Sequence, residues 1–397
     1  MDLVALCTLM GLSITVFIVP LLWFRALDNR RASQILAVFV LVVGVSLLQT
    51  LLLHSGLTLR HPWVSGLGQF FYFALGPLLY CYTKILADRT FVLTPREGWH
   101  FLPVVISLLV YLPVYLQSSE IKRHAVEVYF ALKSVGGVPQ LAALPLSTKI
   151  YITQFVALML HLATYSVLTL RQLEKHRTRI ELVFSNLERI NLSWMRWLTW
   201  LVLAVSVMSL LYISIRLSFP SPVSPDLRVV PVLIMVVLVY YAGWMGIRQP
   251  QIYGTELESD DPSDEETAAP DKYHSTGLSA TDAKEHWHRV QQFVEKEQPY
   301  LRSGLIIKQL ADELSMSTAH LSQVINSYAQ VTFFDYINCQ RIEYSQQQLA
   351  DPGAGKRKVL DIAYSSGFSS QSTFYAQFKK HTGCTPSQYR NRLNDPL

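Results

Sequence analysis

Two clusters of small polar and amide side chains offer the most chemistry in this sequence. One comprises Thr318, Ala319, Ser322, Gln323 and Asn326; the other comprises Gln371, Ser372 and Thr373, followed by Lys379 and Lys380 and, further on, Arg390. Short hydroxyl and methyl side chains allow close approach to a grooved surface. An amide can donate and accept together, which suits an adenine edge in a major groove, and a lysine suits a phosphate. Gln323 and Gln371 are the first choices for base contacts, whereas Lys379 and Arg390 are expected to act through phosphate or structure. Other chemistry is poorly provided for. Cys7, Cys81, Cys339 and Cys384 are scattered without C-x-x-C spacing, and His286 and His288, two apart, fall on different helix faces. No cofactor, metal or catalytic constellation is expected, and the chain reads as a non-enzyme.

Helices must position both clusters. Ile307 to Leu314 and Ser317 to Tyr328 read as two short helices around Ser315 and Met316, with Ser317 as N-cap. Leu321, Val324, Ile325 and Tyr328 recur at i, i+3, i+4 and i+7 and are expected to face a core, leaving the first cluster outward. About fifty residues on, Val359 to Ser365 and Ser370 to Lys380 repeat the unit, with Gly367 in the turn, one residue longer, and Phe374 and Phe378 on the core face. Between them Thr332 to Leu349 reads as one helix carrying Phe334, Ile337, Ile342 and Leu349. Ahead of them Trp287, Val290, Phe293 and Val294 mark another amphipathic helix. The cluster Lys356, Arg357 and Lys358 is placed to meet phosphates.

The rest of the chain has a different character. Half of the 397 residues are hydrophobic, 16% are charged, and the formal charge is only +5. Seven apolar runs stand out, at about Leu3 to Phe24, Ser33 to Leu53, Trp63 to Leu86, His100 to Leu116, Lys149 to Leu170, Trp197 to Leu217 and Val229 to Ile247. Twenty helical residues cover the roughly 30 Å hydrocarbon layer, so most are long enough to span; the fourth, with Pro103 and Pro113, is the shortest. Basic residues concentrate in alternate connections: Arg25, Arg30 and Arg31; Lys84, Arg89 and Arg96; then Arg171, Lys175, Arg177, Arg179, Arg189 and Arg196. Because cytoplasmic loops retain Lys and Arg, the N-terminus is expected outside and the C-terminus inside. Met1 and Asp2 in place of a basic leader, and the length of the first run, make it an anchor rather than a cleaved signal.

Ionisable groups within the runs are nearly absent, apart from His161, which reads as a packing residue; this argues against a transporter. The third run holds Phe70, Phe71, Tyr72, Phe73, Tyr80 and Tyr82 around Gly76 and Pro77, a break that could kink the helix; such aromatics more often pack on neighbours or face lipid than line a ligand pocket. Gln172 to Asn191 mixes apolar and basic residues; extension of the flanking helices and a basic loop on the headgroups both fit it. From Glu256 to Asp271 the chain carries Glu256, Glu258, Asp260, Asp261, Asp264, Glu265, Glu266 and Asp271 with two prolines, the pattern of a self-repelling linker.

The run VLDIAYSSGFSSQSTFYAQFKKHTGCTPSQYR resembles the signature of AraC/XylS-type transcription regulators, with Ile362, Ala363, Gly367, Phe368, Phe374, Phe378, Lys379, Gly383, Thr385, Pro386, Tyr389 and Arg390 at that family's spacing. HLSQVINSYAQVTFFDYINCQRIE and FSNLERINLSWMRWLT are similar to its membrane-bound branch, in which a multi-helix membrane region precedes the regulator domain. The resemblance implies two helix-turn-helix units reading successive grooves. Ser315 stands where a glycine is common, and Ala376 where many relatives carry a DNA-contacting arginine.

The expected fold is therefore all-α: a seven-transmembrane-helix bundle over 1–249, an acidic linker over 250–278, and an all-helical DNA-binding domain with two helix-turn-helix units over 279–397. The expected function is a membrane-anchored transcription regulator of the bacterial inner (cytoplasmic) membrane, its DNA-binding domain in the cytoplasm. Double-stranded promoter DNA and the lipid bilayer are its expected partners, with a homodimer, RNA polymerase and an unknown small-molecule or membrane-derived signal as further ones. The alternative is a membrane receptor whose C-terminal helices bind a protein.

Overall fold

A computed structural model describes residues 3–24, 30–66, 68–88, 91, 94–135, 146–188, 190–218, 229–248, 280–351 and 357–394. The acidic linker over 250–278 and Lys356 lie outside the described residues, as do Arg25, Arg89 and Arg189 of the basic loops. The described residues are helical, and they divide by packing into two units: Met1–Glu174 with Leu192–Gln251, and Lys175–Asn191 with Ile252–Leu397.

The first unit contains α1 (Leu3–Phe24), α2 (Arg30–His54), α3 (Leu57–Arg60), α4 (Leu75–Ala87), α5 (Pro95–Gly98), α6 (Leu102–Tyr115), α7 (Ser119–Val135), most of α8 (Leu146–Val183), α9 (Ser193–Ser218) and α10 (Val229–Arg248). Among the described residues, six stretches are long and apolar enough to cross a membrane: Leu3–Phe24, Arg30–His54, Pro62–Ala87, Pro95–Tyr115, Leu146–Val183 and Ser193–Leu211. The seventh apolar run contributes a shorter apolar helix, Val232–Arg248. Hydroxyls within these helices bond back to the preceding turn, as in Thr8 to the Val4 carbonyl at 2.6 Å and Thr199 to the Met195 carbonyl at 2.7 Å, which satisfies them without water. At Gly44 of α2 a Cβ would stand 2.5 Å from Thr15 Cγ2, so the absence of a side chain is what lets α1 and α2 approach.

Three features depart from the apolar pattern. The third run is not one helix: a 3-10 turn over Pro62–Val64 and another over Gln69–Ala74 precede α4. Gly76 and Pro77 fall in the first turn of α4, where proline costs no hydrogen bond. The amphipathic helix α7 follows the fourth run, where periodicity had marked nothing. Helix α8 continues well past the apolar run; its 38 residues extend about 57 Å at 1.5 Å per residue, nearly twice the hydrocarbon thickness. His161 is half-buried, with Nε2 2.9 Å from the Phe73 carbonyl and its ring against Tyr165. His100 Nδ1 lies 2.8 Å from the Tyr165 hydroxyl.

The second unit contains α11 (Ala280–Glu297), α12 (Ile307–Glu313), α13 (Thr318–Ala329), α14 (Phe333–Ala350), α15 (Val359–Ser365), α16 (Gln371–Thr382) and α17 (Pro386–Asn394), together with the last residues of α8. Two apolar clusters hold it. The first joins Val290, Val294, Leu310, Ala311, Leu321, Ile325, Phe333 and Ile337, with Trp287, Phe293 and Val183 packed against it. The second joins Ile342, Leu349, Ile362, Ala363, Phe368, Phe374 and Phe378. Full burial of each large apolar side chain contributes about 1.5–3 kcal/mol. Helix α14 serves both clusters and so ties the two halves of the unit together.

Candidate nucleic-acid interface

Each polar cluster lies on the second helix of a short helix pair. In the first pair, α12 and α13 are joined by residues 314–317; Ser317 is the N-cap of α13, its hydroxyl accepting from the His320 N–H at 3.2 Å. Ser315 turns the chain at φ 52°, a left-handed conformation that a non-glycine residue adopts at a cost. Arg289 on α11 donates to the Leu314 carbonyl at 2.6 Å, satisfying an acceptor at the end of α12. Leu321, Val324 and Ile325 are buried as their spacing requires. Tyr328 is not: it is 40% exposed and stacks on Trp287 with ring centroids 6.0 Å apart, because α11 covers that end of α13 with an aromatic face rather than enclosing it. Thr318, Ala319, Ser322 and Gln323 are half-buried along the outward side, and Asn326 is exposed.

In the second pair, residues 366–370 join α15 to α16, and Ser370 caps α16 by accepting from the Thr373 N–H at 3.2 Å. Gly367 has φ 87°, and a Cβ there would lie 2.4 Å from the Tyr300 carbonyl oxygen, so this turn requires glycine on two grounds. Phe374 and Phe378 are fully buried. Gln371 and Ser372 are exposed and Thr373 is half-buried, all at the start of α16.

The basic residues meet different fates. Lys379 is exposed. Lys380 is held by Asp335 of α14 at 2.6 Å, so its charge is already partly committed within the domain. Arg390 is half-buried on α17, with Nε and Nη2 shielded from solvent and without a hydrogen-bond partner. Arg357 and Lys358 are exposed ahead of α15. Burial, and the positive charge of Lys380, hold the His381 imidazole below its usual range.

Two features escaped the sequence reading. Arg341 of α14 is, among the described residues, the largest fully buried side chain, 1% exposed. Its guanidinium donates to the carbonyls of Tyr300 at 2.7 Å, Arg302 at 2.8 Å and Ser185 at 3.1 Å, and to the Ser185 hydroxyl at 3.0 Å. Burial lowers its pKa to about 10, which leaves it charged at neutral pH. Its position was legible in principle: Phe334, Ile337, Asn338, Arg341, Ile342, Ser345 and Leu349 form one buried stripe along α14, and an arginine inside such a stripe needs acceptors.

The second feature is the segment after α8. Phe184 pairs with Ile306 as an isolated antiparallel bridge, and the Ser185 N–H and hydroxyl both donate to the Leu305 carbonyl, at 3.2 and 2.6 Å. Asn186 Nδ2 donates to Ser369 Oγ at 2.6 Å. Glu188 accepts from Thr373 Oγ1 at 2.7 Å, from Ser369 Oγ at 3.2 Å, from Ser372 Oγ at 3.4 Å and from Ser370 Oγ.

Comparison with known protein families bears on this unit. Residues 310–392 match a family described as a helix-turn-helix domain. The melibiose operon regulatory protein of Escherichia coli strain K12 is 33% identical over 87 residues, 22% of this chain and 28% of that protein. The virulence regulon transcriptional activator VirF of Yersinia enterocolitica is 34% identical over 102 residues, 26% of this chain and 35% of that protein. The chain thus spans about a third or less of the length of these relatives. A solved structure of a Listeria innocua protein of unknown function is 30% identical over 26% of this chain and 93% of its own, with a TM-score of 0.23. The melibiose operon regulatory protein and VirF are transcription regulators by name, and both helix pairs described above overlap the matched residues: the C-terminal part of this chain carries a helix-turn-helix domain of the AraC/XylS type.

Proposed function

We propose that this chain is a membrane-anchored transcription regulator that binds promoter DNA through two helix-turn-helix units. The observation that carries the reading is the repeated helix pair, each copy presenting small polar and amide side chains on the outward side of its second helix. In this reading α13 and α16 enter successive major grooves, about 34 Å apart on one face of B-DNA. Helix α14, 18 residues or about 27 Å long, is the rigid spacer. Gln323 and Gln371 read base edges, with Thr318, Ala319, Ser322, Asn326, Ser372 and Thr373 lining the approach. Lys379 contacts phosphate, Lys380 does so after exchanging Asp335, and Arg390 acts through phosphate or structure.

The six long apolar helices and α10 are taken as seven spans of the bacterial inner membrane. Large apolar side chains point outward from them, among them Phe17, Leu109 and Met208, and tryptophans stand near helix ends at Trp23, Trp99, Trp197 and Trp244, where an interfacial belt would lie. The alternating basic loops put the N-terminus outside and the DNA-binding domain in the cytoplasm. A small-molecule or membrane-derived signal acts on the membrane region by binding its conformations unequally, since only a differential affinity shifts an equilibrium. A second copy and RNA polymerase are further partners in this reading.

The test is binding of the full chain, in lipid nanodiscs, to duplex DNA from the region upstream of its own gene. Tight binding that resists unrelated competitor DNA is expected; binding no tighter than to the competitor would overturn the reading.

A further inference from the structure

We propose that residues 184–188 are a brake on the second helix pair, with the Glu188 carboxylate standing where a DNA phosphate would otherwise sit. The proposal rests on the DNA-binding reading and names how that same surface is regulated. It begins from the hydroxyls at the start of α16. Ser370 and Thr373 donate to one carboxylate oxygen of Glu188, Ser372 approaches the same atom at 3.4 Å, and Ser369 donates to the other at 3.2 Å. Ser372 and Thr373 are two of the three residues through which the first turn of this helix would address DNA. An anion at this position is favoured by the partial positive charge of a helix N-terminus and by charge-assisted hydrogen bonds. The same chemistry recognises phosphate, and the two anions exclude each other: while Glu188 is seated, a phosphate finds the donors engaged and a negative charge in its way.

Glu188 is held there by its own segment. Asn186 Oδ1 accepts from the Glu188 N–H at 3.1 Å, while its amide nitrogen reaches Ser369 at 2.6 Å. Ser185 is pinned by Leu305 and by the buried Arg341. This segment follows directly on Val183, the last residue of α8, and α8 begins at Leu146 in the apolar part of the chain. A rotation or axial shift of α8 would therefore draw on the segment and free α16, with no change needed inside the helix pair itself. Glu188 is exposed, so its removal leaves the apolar clusters intact.

The experiment uses the full chain in phosphatidylcholine nanodiscs and a labelled pool of random-sequence duplexes as probe. Glu188→Gln, which keeps size and removes charge, is expected to bind the pool on the order of tenfold more tightly than the unsubstituted chain, within the usual range of intramolecular coupling. A residue that merely stabilised α16 would give weaker binding when replaced. In the unsubstituted chain, added DNA is expected to speed amide hydrogen exchange at 184–188 while slowing it at 369–373, a readout that needs no variant. Equal or weaker binding by Glu188→Gln, or exchange at 184–188 that DNA leaves unchanged or slows, would overturn the brake while leaving DNA binding intact. Failure of both proteins to retain DNA would overturn the DNA-binding reading and the brake with it.

Discussion

Arg341 sets the terms at the scale of single residues. A buried guanidinium satisfied by three carbonyls and a hydroxyl is costly to half-remove, because each abandoned acceptor keeps its desolvation penalty. Arg341→Ala is expected to destabilise the C-terminal unit by about 3–5 kcal/mol, read from the denaturant dependence of amide hydrogen exchange along α14 of the full chain in detergent. A loss under about 1 kcal/mol would show that the network contributes little. The two turns make a paired prediction. Ser315 occupies a left-handed φ without being glycine, so Ser315→Gly should stabilise by about 1 kcal/mol. Gly367→Ala should cost about 1–3 kcal/mol or more, since the added methyl meets the Tyr300 carbonyl as well as an unfavourable φ. Equal effects of the two changes on the unfolding midpoint would contradict the account of the turns.

At the scale of helices, the amphipathic elements were legible because their apolar residues recur at i, i+3 and i+4. Phe374 and Phe378, Leu321 and Ile325, and the cap Ser317 lie where the spacing puts them. Tyr328 was misread because periodicity reports which face is apolar, not whether a neighbour encloses it. The basic residues at the end of α8 suit a solvated helix and a loop on headgroups alike, so the sequence does not decide its course, and the partners of Ser185 just beyond it, Leu305, Asn338 and Arg341, are tertiary. The third apolar run breaks into 3-10 turns for reasons that hydropathy does not carry, among them the left-handed Gly66 and Gly68. The proposed reading of α13 and α16 gives a functional prediction at this scale. Gln323→Ala should weaken binding to a preferred site by about 1–3 kcal/mol and change base preference. Lys379→Ala should weaken binding to all sequences and lower the salt slope by about one. Titrations at several salt concentrations with preferred and scrambled duplexes separate the two; identical behaviour of both variants would remove the assignment of Gln323 as a base reader.

For the whole molecule, what the sequence made plain was the contrast of an apolar half with a helical, polar one; what it hid was that Lys175–Asn191 packs with the C-terminal unit. Contacts between residues some 120 to 185 positions apart, such as Ser185 with Leu305 or Glu188 with Thr373, leave no periodic trace in one sequence. The proposed topology predicts that protease added to inverted membrane vesicles removes the C-terminal domain, and that the same protease leaves it intact in right-side-out vesicles; the reverse pattern would place that domain on the wrong side for DNA. The most direct test of the central claim is selection from a random-sequence duplex pool by the full chain held in lipid nanodiscs, followed by sequencing of what is retained. The account predicts enrichment of a motif with two elements about one helical turn apart, one lost on replacing Gln323 and the other on replacing Gln371. A retained pool with the composition of the input would contradict it.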